Sequence, residues 1–244
     1  MRIDALAVRL RPRTPTEAAD LGVRLCQHAA RSVYPCYALV AIPILVLALL
    51  SYAIAPWLPS VVIWWAKPWF DRTILFVLSR AAFGQATAPA DVWQARQQVW
   101  WKGLWFTLTV RRLSLWRSLT EPVYQLEGVP IGKTSARVHQ IRNGHSGPAL
   151  MMTSAYHMAE SAIWTALVSL IFWFAPTGMT PNLQELLTGQ AQGALALVFP
   201  AAYAISVLFL EPFYVASGFA MYLNRRAELE AWDIEQEFRR AFAA

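Results

Sequence analysis

Leu208–Arg226 reads LFLEPFYVASGFAMYLNRR, and it decides what kind of fold this chain can have. The stretch is apolar enough to lie in a bilayer, yet Glu211 is followed at once by Pro212 in its interior. It ends at Asn224-Arg225-Arg226, as a membrane helix ends on a cytoplasmic surface. A carboxylate and a proline inside such a run are both costly, so each needs a partner or a purpose.

Composition widens that reading to the whole chain. Of 244 residues, 57% are hydrophobic and only 15% charged, with 12 Trp. A soluble domain of this size carries about a quarter charged residues, so the sequence points to an all-α integral membrane protein. The formal charge of +6 does not indicate nucleic acid, because the basic residues flank apolar segments as positive-inside topology requires. Cys26 and Cys36 form no CxxC pair and have no matching His spacing, so no metal, cofactor or disulfide framework is expected. The polar start before Tyr34, with Asp4, Glu17 and Asp20, does not fit a cleavable signal peptide.

Outward from the opening stretch, the chain reads as one membrane domain over 1–244. Residues 10–32 form an amphipathic helix, capped by Thr14 with Pro15 in its first turn and carrying Leu21, Leu25 and Ala29 at helical spacing. It lies on the inner membrane face or packs on the bundle as a soluble cap. A first span covers 34–55, with no charge across about 22 positions. The turn Pro56–Ser60 leads into a second span, 61–79, interrupted by Lys67-Pro68 and Asp71-Arg72. Residues 91–147 are expected to be interfacial and cytoplasmic. Their tryptophans Trp93, Trp100, Trp101 and Trp105 suit a helix at headgroup level, with a re-entrant segment as the alternative. A third span covers 149–175. A fourth, 194–223, is longer than one crossing requires and therefore tilted, kinked or broken. The tail 224–244 reads as an amphipathic cytoplasmic helix. The outer segments Pro56–Ser60 and Thr177–Gly193 contain no Lys or Arg, which places both termini inside.

The spans suggest an internal duplication. Val61–Arg80 aligns without gaps on Ile205–Asn224, matching Lys67-Pro68-Trp69-Phe70 to Glu211-Pro212-Phe213-Tyr214. The halves share orientation, so the four spans form two parallel pseudo-repeats. Lys67 and Glu211 then sit at equivalent depths with opposite charge. Either they meet between the halves, or Lys67 pairs with Asp71 four residues on while Glu211 faces a hydrated cleft. Cross-pairing predicts that Lys67→Glu impairs folding and that adding Glu211→Lys restores it. Lys67, Asp71, Arg72, Glu160 and Glu211 are thus the candidate intramembrane polar seam.

Other constellations are weaker. His157 and Glu160 share a helical face, but two groups are too few for a metal site; a hydrogen-bonded polar cluster is the expected reading. Gly144–Pro148 lacks the second Gly of a nucleophile elbow. Arg9, Arg11, Arg13, Trp100, Trp101, Arg111 and Arg112 are candidate headgroup contacts, with Arg117, Arg225 and Arg226 on the same basic surface. Topology signalling alone accounts for most of them.

Leu10-Arg11-Pro12, followed by Glu17, Asp20, Gly22 and Leu25, resembles the opening of the membrane domain attached to some glycerophosphoryl diester phosphodiesterases. Glu211–Ala216, Leu223–Arg226, Glu228, Glu230, Trp232 and Asp233 resemble a subset of stand-alone bacterial inner-membrane relatives. Those tend to accompany a membrane protein of unknown function and an AAA ATPase system. The resemblance implies a helical membrane module in the bacterial inner membrane without the phosphodiesterase barrel, whose acidic metal ligands are not in this sequence. The expected function is a non-enzymatic subunit or scaffold of a membrane complex. Its partners would be membrane lipids, other membrane proteins and an AAA ATPase-linked system. A transporter or lipid-handling protein using the polar seam is the alternative, and a membrane enzyme the third.

Overall fold

The structure is a computed structural model, and it describes residues 13–174 and 197–230. Arg9, Arg11, the outer loop 177–193 and the tail beyond 230 lie outside the described residues. Those described are helical, with no strand among them. The order is α1 (Pro15–His28), α2 (Ala30–Leu50), α3 (Leu58–Ala81), α4 (Pro89–Gln94), α5 (Leu104–Leu108), α6 (Arg117–Leu126), α7 (Ile131–Arg142), α8 (Ser146–Phe174) and α9 (Val198–Glu230). Two helical stretches, Ala30–Ala53 and Val198–Glu230, are long and apolar enough to cross a membrane.

Local chemistry explains where the first helices begin. Thr14 Oγ1 accepts from the Glu17 N–H and the Glu17 carboxylate accepts from the Thr14 N–H, a reciprocal capping box with Pro15 just inside. One residue, Ala29, separates α1 from α2, so the chain from Pro15 to Leu50 runs on as two nearly continuous helices. They follow α9 in the opposite direction. Arg13 meets Asn224, Ala19 meets Ser217, Tyr34 meets Phe209 and Tyr37 meets Val207.

Expected and observed faces of α1 differ. Its buried stripe is Ala18, Gly22 and Cys26, while Leu21 and Leu25 only flank it. Small side chains let α1 press directly onto α9. A Cβ on Gly22 would stand 2.3 Å from the Ala216 carbonyl oxygen, closer than any side chain tolerates.

Leu208–Arg226 is the hub of this packing. From Glu211 to Asn224 every residue of α9 is buried except Phe213, which is half-buried. α1, α3, α6 and α8 all pack against α9. Here α6 is the unexpected neighbour. Within the stretch read as polar and cytoplasmic, Arg117 to Val123 are buried, and a Cβ on Gly218 would meet Ser118 Cβ at 2.3 Å. Between α3 and α6, a π-helical turn (Gln97–Trp101), α5 and a 3-10 turn (Val110–Leu113) wrap α3. Val99 and Trp100 are buried in this wrap, whereas Trp101, Trp105, Phe106, Leu113 and Leu115 are exposed.

Apolar exposure is concentrated elsewhere as well. Leu39, Ile42, Val46 and Leu47 of α2, Val61, Trp64 and Trp65 of α3, Leu170, Ile171 and Trp173 of α8, and Ile205 and Phe209 of α9 all face outward. On α3 this exposure stops just before Lys67, and on α9 it is absent from Glu211 to Asn224 and returns at Leu229.

Candidate functional site

Pro68 and Pro212 sit inside α3 and α9, and both are buried. A proline cannot donate to the carbonyl four residues earlier, so each frees a backbone acceptor that neighbours must satisfy. At Pro68 that acceptor is the Trp64 carbonyl, and Arg112 Nη2 donates to it at 2.7 Å. Near Pro212, the hydroxyls of Tyr34 and Tyr37 donate to the Phe209 and Val207 carbonyls, both at 3.3 Å.

The charges that accompany these prolines converge. Lys67 Nζ lies 2.8 Å from Glu160 Oε1 and 2.9 Å from Glu211 Oε2. Glu211 Oε1 in turn accepts from Arg117 Nη2 at 3.0 Å, and Arg117 Nε lies 2.5 Å from Asp71 Oδ2. α3, α6, α8 and α9 are joined through one chain of charges: Glu160, Lys67, Glu211, Arg117, Asp71. Lys67, Asp71, Arg117 and Glu211 are all buried. Lys67 bonds across helices, and no ion pair between Lys67 and Asp71 occurs among the described residues. His157 stands at the edge, Nδ1 3.5 Å from Glu160 Oε2, with its side chain 63% exposed.

Arg72 belongs to a different set. Its guanidinium donates to the carbonyls of Val99 at 2.5 Å and Gln98 at 3.2 Å and to Thr107 Oγ1 at 3.1 Å. Glu121 balances its charge at 3.6 Å. Arg72 therefore fastens the tryptophan-rich wrap to α3, and Trp100 assists by donating its indole N–H to Thr73 Oγ1 at 3.0 Å. Buried in this way, Trp100 is unavailable as a headgroup contact, while Trp101 is exposed. Arg117, read as part of the basic surface, is likewise buried in the charge chain. Arg225 and Arg226 pair with Glu228 and Glu230. The Arg13 backbone is clamped by Asn224, and Arg111 stacks over the Tyr124 ring at 3.5 Å.

Arg117 and α6 are the partners that sequence reading passed over. A signal existed. Glu121-Pro122-Val123-Tyr124 repeats the Glu-Pro-x-Tyr spelling of Glu211–Tyr214, and both glutamates answer a cation of α3.

A cleft of about 210 Å³ opens beside Lys67, between α8, α9 and the segment 112–115. Its polar wall carries Lys67, Arg112, Arg117, His157, Glu160 and Glu211, and its apolar wall Trp64, Leu113, Leu115 and Leu210. Arg112 lies 3.7 Å over the Trp64 ring. No carboxylate comes within 4.0 Å of it among the described residues, and its Nε finds no hydrogen-bond partner there. Burial first, then the Arg117 charge, lowers the Arg112 guanidinium to about 10 from an ordinary 12.5. Among the described residues no three His, Cys, Asp or Glu side chains are grouped to hold a metal ion.

A second network lies toward the end of α9. Arg137 bridges Glu127 at 2.7 Å and Glu230, and the Tyr222 hydroxyl donates to Glu127 Oε1 at 2.7 Å. The Glu127 hydrogen bond contributes most to holding the Arg137 guanidinium above its ordinary value.

Compared with known proteins, the chain matches no family model, no curated protein and no solved structure.

Proposed function

We propose that this chain is a non-enzymatic, multi-pass protein of the bacterial inner membrane that serves as a subunit or scaffold of a membrane complex. Its four long helices, α2, α3, α8 and α9, would cross the bilayer as two parallel hairpins with both termini cytoplasmic. Support comes from the outward-facing apolar side chains on all four. On α9, Ile205 and Phe209 lie within about 9 Å of the Glu211 level on its N-terminal side, at 1.5 Å per residue. In this placement the charge chain lies toward the inner side of the apolar belt, with exposed Met151 and Met158 of α8 and Leu229 of α9 on its cytoplasmic side. Exposed Trp101, Trp105 and Phe106 then enter the interface, where aromatic side chains favour the headgroup level. The shared Lys67-Pro68 and Glu211-Pro212 spelling remains the reason to read the hairpins as pseudo-repeats.

One observation carries the scaffold reading: Lys67, Arg117, Asp71, Glu160 and Glu211 form consecutive ion pairs across four helices. Such a buried, mutually paired network fixes helices in register. Partners, including an AAA ATPase-linked system, would dock on the cytoplasmic helices and the tryptophan-rich wrap. Affinity purification of the tagged chain in mild detergent tests this. Reproducible co-purification of the same membrane proteins is expected, and their reproducible absence retires the reading. The cleft beside Lys67 favours a second reading, in which the protein handles lipid at its inner border.

A further inference from the structure

We infer that the cleft beside Lys67 binds a phosphate-bearing anion through Arg112, with its apolar wall receiving the acyl chain of a membrane lipid. The inference rests on the membrane placement and lipid-handling reading above, and names the ligand class and the residue that recognises it.

The charges of the cleft are unequally committed. Lys67 and Arg117 face Glu160, Glu211 and Asp71 at 2.5 to 3.0 Å, so the charge of each is already matched. Arg112 differs. One nitrogen caps the carbonyl freed by Pro68, a task that needs a donor but no charge. The remaining charge lies over an aromatic face in a buried setting, its Nε without a hydrogen-bond partner. A buried cation without a close counter-ion is costly, and an incoming anion would offset that cost. Guanidinium also presents paired donors that match phosphate oxygens. His157, exposed at the mouth, adds a second donor.

The rest of the wall selects the source of the phosphate. Trp64, Leu113, Leu115 and Leu210 line the same cleft, and Leu113 and Leu115 are exposed beyond it. An apolar chain leaving the cleft would lie along them, whereas free phosphate would leave them wet. Arg111 is the internal contrast: it is the neighbouring arginine in sequence, but it stacks on Tyr124 and does not line the cleft.

The test titrates the detergent-purified full chain with phosphatidylglycerol, read by native mass spectrometry, and separately with inorganic phosphate as competitor. Wild type should retain one phosphatidylglycerol. Arg112→Gln, which removes the charge and leaves an amide donor on a shorter side chain, should weaken retention about tenfold. Arg112→Lys should recover part of it and Arg111→Gln should change nothing. Displacement by millimolar phosphate would assign the site to free phosphate, and resistance to it would assign the lipid. Equal retention by wild type and a folded Arg112→Gln overturns the site. Should that variant fail to fold, Leu210→Trp decides, since it narrows the cleft without touching an ion pair; unchanged retention there overturns the site equally. A chain that stays dispersed without detergent would overturn the membrane placement instead, which is a separable failure.

Discussion

Lys67 Nζ lies 2.9 Å from Glu211 Oε2, so the charged residue beside the proline of α3 is paired with the one beside the proline of α9. Each has a second opposite charge, Glu160 behind Lys67 and Arg117 behind Glu211. That second layer changes what charge reversal should do.

Lys67→Met should destabilise the detergent-solubilised protein by about 3–5 kcal/mol, because it leaves buried Glu211 and half-buried Glu160 without the cation they share. Lys67→Glu should be worse. Adding Glu211→Lys should fail to restore it, since the new Glu would face Glu160 and the new Lys would face Arg117. Thermal unfolding of the three variants measures this, and full recovery in the double variant would show that the pair acts alone.

Gly218→Ala should cost about 1–3 kcal/mol, because the new methyl overlaps Ser118 on α6. Ser118→Gly in the same chain should return part of that loss. Gly22→Ala meets the Ala216 backbone instead, so no side-chain substitution opposite it should help. Chemical unfolding of the two single variants and the double variant separates these cases.

The network of Arg137, Glu127 and Glu230 should lose its hold in acid. Burial alone would raise the Glu230 carboxyl, but hydrogen bonds from Arg226 and Arg137 outweigh it and hold the group below its ordinary value of 4.5. A carboxyl depressed in the folded state stabilises above its unfolded value and loses that contribution as pH falls through the folded one. Amide protection in α7, corrected for the intrinsic pH dependence of exchange, should therefore be insensitive to this group near neutrality and fall below about pH 4.5. Glu230→Gln should remove that acid-dependent step. An unchanged step in the variant would assign it to another group.

How much of this was legible in the sequence varies with the range of the interaction. The all-helical class follows from the long apolar runs, and the Thr14-Pro15-Glu17 start follows from capping chemistry within four residues. An approach of Lys67 to Glu211 could be argued because the same local spelling occurs twice. Arg117 could not be placed that way. Its segment carries Arg117, Thr120, Glu121 and Gln125 and so scores as solvated, yet its charges are matched by Asp71, Glu211 and Arg72 on distant helices. Polar character in a sequence window does not distinguish a wet face from a buried, paired one. The close face of α1 was missed for a related reason: Ala18, Gly22 and Cys26 are small, and their value lies in how near they let α9 come.

Arg117 and Asp71 belong to one buried charge chain that locks α6 to α3. A double-mutant cycle on thermal unfolding in detergent, with Arg117→Gln, Asp71→Asn and both together, tests it most directly. Each single variant should be strongly destabilised, and the double should lose less than the sum, with a coupling of about 1–3 kcal/mol. Strictly additive losses would contradict the lock and leave α6 as a separate cytoplasmic element.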